Sequence, residues 1–285
     1  MFSLLAPAKI NLTLEVLHQR PDGYHEIRSL MQTIDLCDRL RFRLRKDIKF
    51  SSDSPGFVWE ESLMSRATAL LRQATGCTKG ATIEITKRIP LSSGLGGDSS
   101  CAAATLKGLN KLWQTGLSQE KLVELALRLG SDVPFFLYGG TALVEGRGEK
   151  ITKLPPLPQR WVVLMIPDMP RLAEKTKQLY ASLKPGHYTD GKISQNFVRA
   201  LKEGEEIKPS MLFNTFENVA FDYFNGLKTY KEHFLRLGAQ NVHLAGSGPA
   251  LFNLVEDKTQ AKDLYTCCKQ QGVETYLAET RGGIR

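Results

Sequence analysis

Apolar and polar residues alternate from Lys9 to Val16: Ile10, Leu12, Leu14 and Val16 fall on one side, Lys9, Asn11, Thr13 and Glu15 on the other. A period of two predicts a half-buried strand. Lys9 and Asn11 then project from the same face, about 7 Å apart at ~3.3 Å rise per residue. An ammonium beside an amide can bind a phosphate or hold a carboxylate; a solvated strand face explains the same pattern. Asp38 to Arg45 also alternates, with Arg39, Arg41, Arg43 and Arg45 opposite Leu40, Phe42 and Leu44. This predicts an edge strand blunted by charge. Further strands are predicted over 81–86, 141–145, 161–166, 241–245, 250–254 and 273–277.

Elsewhere the period lengthens to that of a helix. Leu63, Ala67, Leu70 and Leu71 mark one over 60–73, which Gly76 ends; Ala102, Leu106, Leu109 and Trp113 mark another of roughly four turns. Ser118 caps a third, with Leu122, Leu125, Ala126 and Leu129 inward and Gly130 closing it. Helices are also predicted through Thr176 and Tyr180 and over 196–203, 213–224 and 259–270, with loops at 51–56 and 184–192. Three prolines within residues 153–158 mark the best boundary, dividing the chain into domains at 1–153 and 154–285.

The chemistry concentrates at residues 90–104, P-L-S-S-G-L-G-G-D-S-S-C-A-A-A. Gly94, Gly96 and Gly97 free the backbone for positive φ and close approach to a ligand, and Ser99 and Ser100 stand where a helix should begin, as favoured caps. A strand, a glycine-rich loop and a helix N-terminus form an anion site, because free N–H groups and the positive dipole end point the same way. The pattern is neither a Walker loop, lacking Lys-Ser or Lys-Thr after the glycines, nor G-x-G-x-x-G.

Asp132 falls at a break before Pro134, which forces Val133 toward extended geometry. Its carboxylate either caps the following helix or is a catalytic group on rigid surroundings. Pro21-Asp-Gly is a turn, after which Tyr24 and His25 offer a stacking ring and a hydrogen-bonding ring. Gly246-Ser-Gly-Pro249 is the glycine-rich tip of a strand-turn-strand.

Composition narrows the class. A chain of 285 residues with 42% hydrophobic and 24% charged residues is globular, and no apolar run reaches the ~18 residues of a membrane helix. Five cysteines form no C-x-x-C pair and no metal-ligand spacing, so a reducing compartment fits. The start of the chain lacks the pattern of a signal peptide, and a cytoplasmic protein is expected. The net charge of +8 suits polyphosphate ligands. Nucleic acid would want aromatics on the basic face of 39–45, and they lie opposite.

Taken in order, P-A-K-I-N at 7–11, P-D-G-Y-H at 21–25, P-L-S-S-G-L-G-G at 90–97, L-G-S-D-V-P at 129–134 and G-S-G-P at 246–249 closely resemble the GHMP family of small-molecule kinases. The resemblance spans nearly the whole chain. It implies an α+β, two-domain GHMP-kinase fold: an N-terminal α/β domain like that of a small-subunit ribosomal protein, and a ferredoxin-like α+β C-terminal domain. P-A-K-x-N and D-G-Y-H resemble the branch that uses ATP to phosphorylate the 2-hydroxyl of 4-diphosphocytidyl-2-C-methyl-D-erythritol in non-mevalonate isoprenoid synthesis; mevalonate, homoserine or a sugar is the alternative acceptor.

On that resemblance Lys9 and Asp132 are the catalytic pair, and Asn11 steadies Asp132 or the substrate. Phosphoryl transfer is mostly positioning and charge stabilisation, and an ammonium beside a carboxylate favours the anion that accepts a hydroxyl proton. Pro90, Leu91, Ser92, Ser93, Gly94, Leu95, Gly96, Gly97, Asp98, Ser99 and Ser100 would wrap the ATP phosphates, with a Ser99 or Ser100 hydroxyl available to phosphate or to Mg²⁺ carried with ATP. Tyr24 and His25 would receive cytosine, with Tyr180 as a second stacking ring beside Thr176. Gly246, Ser247 and Gly248 would lie at the domain interface near the substrate. A monomer or weak homodimer is implied, with no membrane or nucleic-acid partner. Two positions depart from the pattern: Asp98 replaces a frequent glycine, and Ser62 an asparagine that usually helps hold adenine.

Overall fold

The alternation at 9–16 extends in both directions into one long strand, β1 (Phe2–Gln19), which a turn at Gly23 joins to an equally long antiparallel β2 (His25–Arg45). The computed structural model describes residues 1–54, 58–60 and 62–282; residues 55 and 56 of the predicted loop at 51–56, and position 61 of the predicted first helix, lie outside them. Beyond β3 (Ile48–Ser52) comes α1 (Leu63–Thr75). Ser62 caps it by accepting the Ser65 N–H at 3.1 Å, and Gly76 closes it at φ 64°. Then follow β4 (Gly80–Thr86), α2 (Gly97–Trp113), α3 (Gln119–Leu127), α4 (Val133–Tyr138), β5 (Thr141–Gly146) and β6 (Lys150–Lys153).

Residues 39–45 are not an edge. All seven pair with β4 and residues 39–42 also pair with β1, in a seven-stranded sheet ordered β3-β4-β2-β1-β8, where β8 is Phe213–Asn214 from the second half of the chain; β5 and β6 extend β2. Arg39, Arg41 and Arg43 are exposed, as their alternation requires. Alternation reports which face is wet; it carries no information on whether the strand's hydrogen-bonding edges are filled. The other face buries Leu40 and Phe42 with Ile83 and Ile85 under α1–α4.

The polar face of β1 is not solvated either. Lys9, Asn11, Thr13 and Glu15 are all buried, because the second half of the chain closes over them. In α6 (Lys192–Glu203) the Ser194 N–H donates to Glu15 at 2.7 Å, and its hydroxyl lies 2.7 Å from that of Thr13.

Residues 154–160 carry no regular element. After them the antiparallel sheet β11-β7-β10-β9 forms from β7 (Trp161–Ile166), β9 (Val242–Leu244), β10 (Leu251–Val255) and β11 (Glu274–Glu279), with α5 (Lys175–Ser182), α7 (Glu217–Tyr223), α8 (Leu227–Arg236) and α9 (Lys258–Gln270) in the same half. A shared core of Ile10, Leu12, Val162, Leu164, Phe197 and Phe252 joins it to β1. The architecture is mixed α+β with two sheets.

The helix predicted over 213–224 is strand β8 and then α7. Asn214 breaks it: its Oδ1 accepts the Phe216 N–H at 3.0 Å, a turn that a continuous helix would not allow, while Phe213 and Asn214 pair in parallel with Thr13 and Leu14. The helix after the glycine loop begins at Gly97, with Gly96 in the left-handed region at φ 74° as its cap; Ser99 and Ser100 lie inside the first turn rather than capping it.

Gly108 of α2 meets the Phe42 ring so closely that an added Cβ would lie 2.3 Å from Cζ. Alanine is favoured over glycine within helices by about 1 kcal/mol, but overpacking a filled core costs about 1–3 kcal/mol, and the clash with a fully buried ring wins. Gly108→Ala should lower the denaturation midpoint; an unchanged or higher midpoint would refute this.

Candidate active site

Lys9 stands at the centre of the site. Its Nζ donates to Asn11 Oδ1 at 2.8 Å and lies 3.4 Å from Asp132 Oδ2. Asn11 is held in turn: its Nδ2 donates to the Ser29 hydroxyl at 2.8 Å, and that hydroxyl donates to the Thr13 carbonyl at 2.6 Å. Asp132 occupies the cap position of α4 yet makes no side-chain cap hydrogen bond. Its carboxylate turns to Lys9 instead, with about a third of the side chain open to solvent (32%). A buried ammonium thus faces a carboxylate that an incoming hydroxyl can reach.

The glycine loop runs over this pair. The Lys9 N–H donates to Leu95 C=O at 2.9 Å, and a Cβ on Gly96 would meet the Phe136 ring at 2.8 Å and Lys9 Cγ at 3.1 Å. From the other side, the turn between β9 and β10 approaches the loop backbone to backbone. A Cβ on Gly94 would lie 2.0 Å from Ala245 C=O, and one on Gly246 would lie 2.9 Å from both Gly94 C=O and Lys9 Nζ. The Ala250 N–H closes the contact by donating to Ser93 C=O at 3.0 Å. Asn214 fixes the turn by donating to the carbonyls of Leu244 and Gly246 at 2.9 and 2.8 Å. The free N–H groups of the first turn of α2 sit at the end of this cradle, suited to phosphate oxygens.

The entrance to the loop is anchored by Asp38, a wholly buried carboxylate that the sequence pattern had merged into the arginine-rich strand. Its Oδ1 accepts the N–H groups of Arg88 and Ile89 at 2.7 and 2.9 Å, and its Oδ2 takes Lys87 Nζ at 2.5 Å. Burial opposes the charge on Lys87, but the neighbouring Cys101 and Asp38 outweigh it and raise its pKa. Lys87 also lies 3.9 Å from the exposed carboxylate of Asp98. The unusual loop carboxylate is therefore turned toward a lysine that is already fixed.

Lys175, unremarked in the sequence beside Thr176, spans the two glycine-rich segments. Its Nζ donates to Ser92 C=O at 2.6 Å and to Gly248 C=O. It has no carboxylate partner among the described residues, and burial, then the charge of Lys9, push its pKa down to about 8. Thr176 Oγ1 and Ser247 Oγ are 2.8 Å apart.

A ring pocket adjoins the pair. His25 stacks on Tyr180 with centroids 4.8 Å apart and meets Tyr188 edge-on, the Tyr188 hydroxyl 3.4 Å from His25 Nε2. Burial first, then the charge of His18, lowers the His25 pKa, which favours the neutral ring. Burial, then the Asp132 carboxylate, pushes the Tyr180 hydroxyl above its usual range, so this ring reaches the catalytic corner. Tyr24 does not join the stack: it is exposed, with Arg147 4.6 Å over its ring. Tyr188 was missed because it lies in a segment without periodicity. Ser62 is committed to capping α1.

The family model "GHMP kinases N terminal domain" matches residues 62–140. A 4-diphosphocytidyl-2-C-methyl-D-erythritol kinase of Dehalococcoides mccartyi is 50% identical over 284 residues, covering 100% of both chains. The chain belongs to the 4-diphosphocytidyl-2-C-methyl-D-erythritol kinase family. The kinase of that name from Shouchella clausii is 41% identical over 93% of this chain and 89% of its own. A crystal structure of 4-(cytidine 5'-diphospho)-2C-methyl-D-erythritol kinase superposes with a TM-score of 0.83 at 33% identity, over 99% of this chain and 100% of that one. Homoserine kinase from Cytophaga hutchinsonii shares the fold, with a TM-score of 0.75 at 18% identity over 99% and 95% of the two chains. Kinase-family membership and the GHMP fold thus agree with the resemblance carried by the five motifs.

The contact between loop and turn gives a direct test. In Gly94→Ala the new methyl cannot fit against Ala245 C=O, and φ at this position is 90°. The amides of Gly248 and Ala250, which hydrogen-bond across and within the contact, should exchange with deuterium at least about tenfold faster through local opening. Unaltered protection at both amides would contradict the packing described.

Proposed function

We propose that this protein transfers the γ-phosphate of ATP to the 2-hydroxyl of 4-diphosphocytidyl-2-C-methyl-D-erythritol, a step of isoprenoid precursor synthesis. The observation that carries the reading is the Lys9–Asp132 pair, 3.4 Å apart beneath a glycine-rich loop, in a chain with full-length relatives of that named activity. In this reading residues 1–153 supply the ATP cradle and the catalytic pair, and residues 154–285 complete the substrate site.

The geometry supports the following roles. The acceptor hydroxyl meets Asp132, the open member of the pair, which orients it and accepts its proton. Lys9, fixed by Asn11, places positive charge where the transferred phosphoryl group becomes most anionic. Lys175 adds a second cation at the junction of loop and turn; it lacks a counter-charge among the described residues, and a phosphate would supply one. Residues 90–100 wrap the phosphates. Ser99 is the better-placed hydroxyl, since Ser100 is buried. His25, Tyr180 and Tyr188 receive the cytosine, His25 by hydrogen bonding and a tyrosine by stacking. Tyr24 contributes from the rim, and Thr176, Ser247 and the Gly246 and Gly248 backbone line the side toward the polyol.

Among the described residues no cluster of three or more His, Cys, Asp or Glu side chains is able to hold a metal ion. This fits a Mg²⁺ that arrives on the nucleotide, because Mg²⁺ takes one or two carboxylates plus phosphate oxygens rather than a protein cage. Asp132 and Asp98 are the carboxylates at hand, Asp98 needing to leave Lys87. The bound ion would neutralise phosphate charge.

The deciding experiment supplies ATP with either the cytidine-bearing substrate or the same polyol phosphate lacking CMP, and detects products by mass spectrometry. Turnover of the cytidine-bearing substrate alone is expected; turnover of neither would reopen the acceptor. Asp132→Asn should lower kcat by about 10²–10⁴-fold with ATP affinity little changed, and a kcat within a few-fold of the parent would remove Asp132 from the chemistry.

The pH profile tests Lys175. Because kcat/KM reports groups of the free enzyme, its cationic form is present below, and lost above, a pKa of about 8. kcat/KM for ATP should therefore fall as pH rises through that value. In Lys175→Met the profile should start lower and lose this limb; a limb that persists unchanged would assign it to another group.

A further inference from the structure

A pocket of ≈ 880 Å³ opens beside the N-terminal half of β1, and none of Lys9, Asp132, Lys175 or the 246–248 turn lines it. Lys107 of α2, Lys153 at the end of β6 and Arg281 beyond β11 line it from three distant parts of the chain, and no Asp or Glu among the described residues shares the lining. Lys107 makes no hydrogen bond or ion pair with any described residue. Burial, then the charge of Lys153, lowers its pKa. Lys153 Nζ lies 5.2 Å from the centroid of the Tyr138 ring. Arg281 is presented from a fixed backbone, its N–H donating to Thr33 C=O at 2.9 Å and its C=O accepting from Gln32 Nε2 at 2.6 Å.

Exposed lysines ordinarily cost nothing, since water and nearby carboxylates screen them. This group differs in two respects. Like charges are gathered in a concave site, one of them substantially desolvated, where each raises the cost of charging the others. A buried hydroxyl without a partner, Ser100 Oγ, also belongs to the wall. Leu4, Leu5, Phe136 and Leu154 give the wall an apolar part, beside the hydroxyl-bearing Ser3, Thr33 and Thr141. An anion with a non-polar body satisfies both halves of the lining.

We propose that this pocket binds an organic phosphate with an apolar carbon skeleton, its phosphate held between Lys107, Lys153 and Arg281. The site adjoins the catalytic cradle from behind: Ser100, at the end of the phosphate loop, and Phe136, which packs directly beneath Gly96, both form part of its wall. Charge-assisted hydrogen bonds to phosphate supply the affinity, and the apolar wall selects the body.

Phenyl phosphate is a suitable probe, titrated calorimetrically into the full chain while a non-hydrolysable ATP analogue and the polyol substrate saturate the catalytic site. Saturable binding is expected. It should weaken at least about tenfold in the double variant Lys107→Gln, Lys153→Gln, the loss of one or more charged hydrogen bonds. Basal turnover should stay unchanged and the denaturation midpoint should not fall, since crowded like charges are removed, which separates loss of the site from loss of the fold. Absence of binding once the catalytic site is filled, or equal affinity in the double variant, would overturn the proposal. Equal affinity for inorganic phosphate would overturn its apolar half.

Discussion

Two glycine-rich segments meet here with no side chain between them, and the site depends on that contact. Residues 92–97 and 245–248 come from opposite ends of the chain, and the distances at Gly94 and Gly246 leave no room for even a methyl group. Such an approach delivers backbone N–H groups to a common space, which side chains of any size would hold apart. It also brings Lys9 under both segments at once, where it contacts the loop through its own N–H and the turn through its ammonium.

Anchors far from the chemistry keep the two segments in register. Asp38 grips the loop before its first glycine, Asn214 grips the turn by two carbonyls, and Lys175 ties one to the other. Asp38 and Asn214 are buried, Lys175 is half-buried, and each bonds backbone groups of the segment it holds; a lost partner costs most at the two buried groups. The electrostatics of the cleft are unbalanced: Lys9 has Asp132, whereas Lys175 has only carbonyl dipoles among the described residues.

Much of this was legible in the chain. The period of two at Lys9–Val16, the glycine loop and the 246–249 turn stand where the residues indicated, because each rests on local chemistry. Asp132 does precede a helix, but Val133 is helical rather than extended, with Pro134 in the first turn, where its missing N–H costs nothing. What escaped were facts of assembly. Periodicity could not tell that both hydrogen-bonding edges of 39–42 are filled, or that the polar face of β1 is covered by α6. Asn214 turned a helical pattern into a strand because a long-range pairing with β1 was available. Lys175 carries no local signal at all; its meaning arises from the carbonyls that surround it. The ring pocket was half visible, with His25 and Tyr180 brought together, Tyr24 set apart, and Tyr188 added from a loop.

The pairing of β1 with β8 has a consequence for how the molecule comes into being. Leu14 lies beside Asn214, and Ser93 bonds Ala250, so the cradle closes only through contacts of very long sequence separation. Such contacts demand loop closure before they return any stabilisation, which makes them late and slow. A nascent chain on the ribosome carries Lys9, the glycine loop and Asp132 well before it carries the turn that seals them. Its first half exposes a buried ammonium's future pocket and the apolar face of β1 throughout that interval. The newborn protein thus passes through a stage in which the residues of the candidate site have been synthesised but not assembled, and in which the uncovered β1 face is the surface most in need of protection.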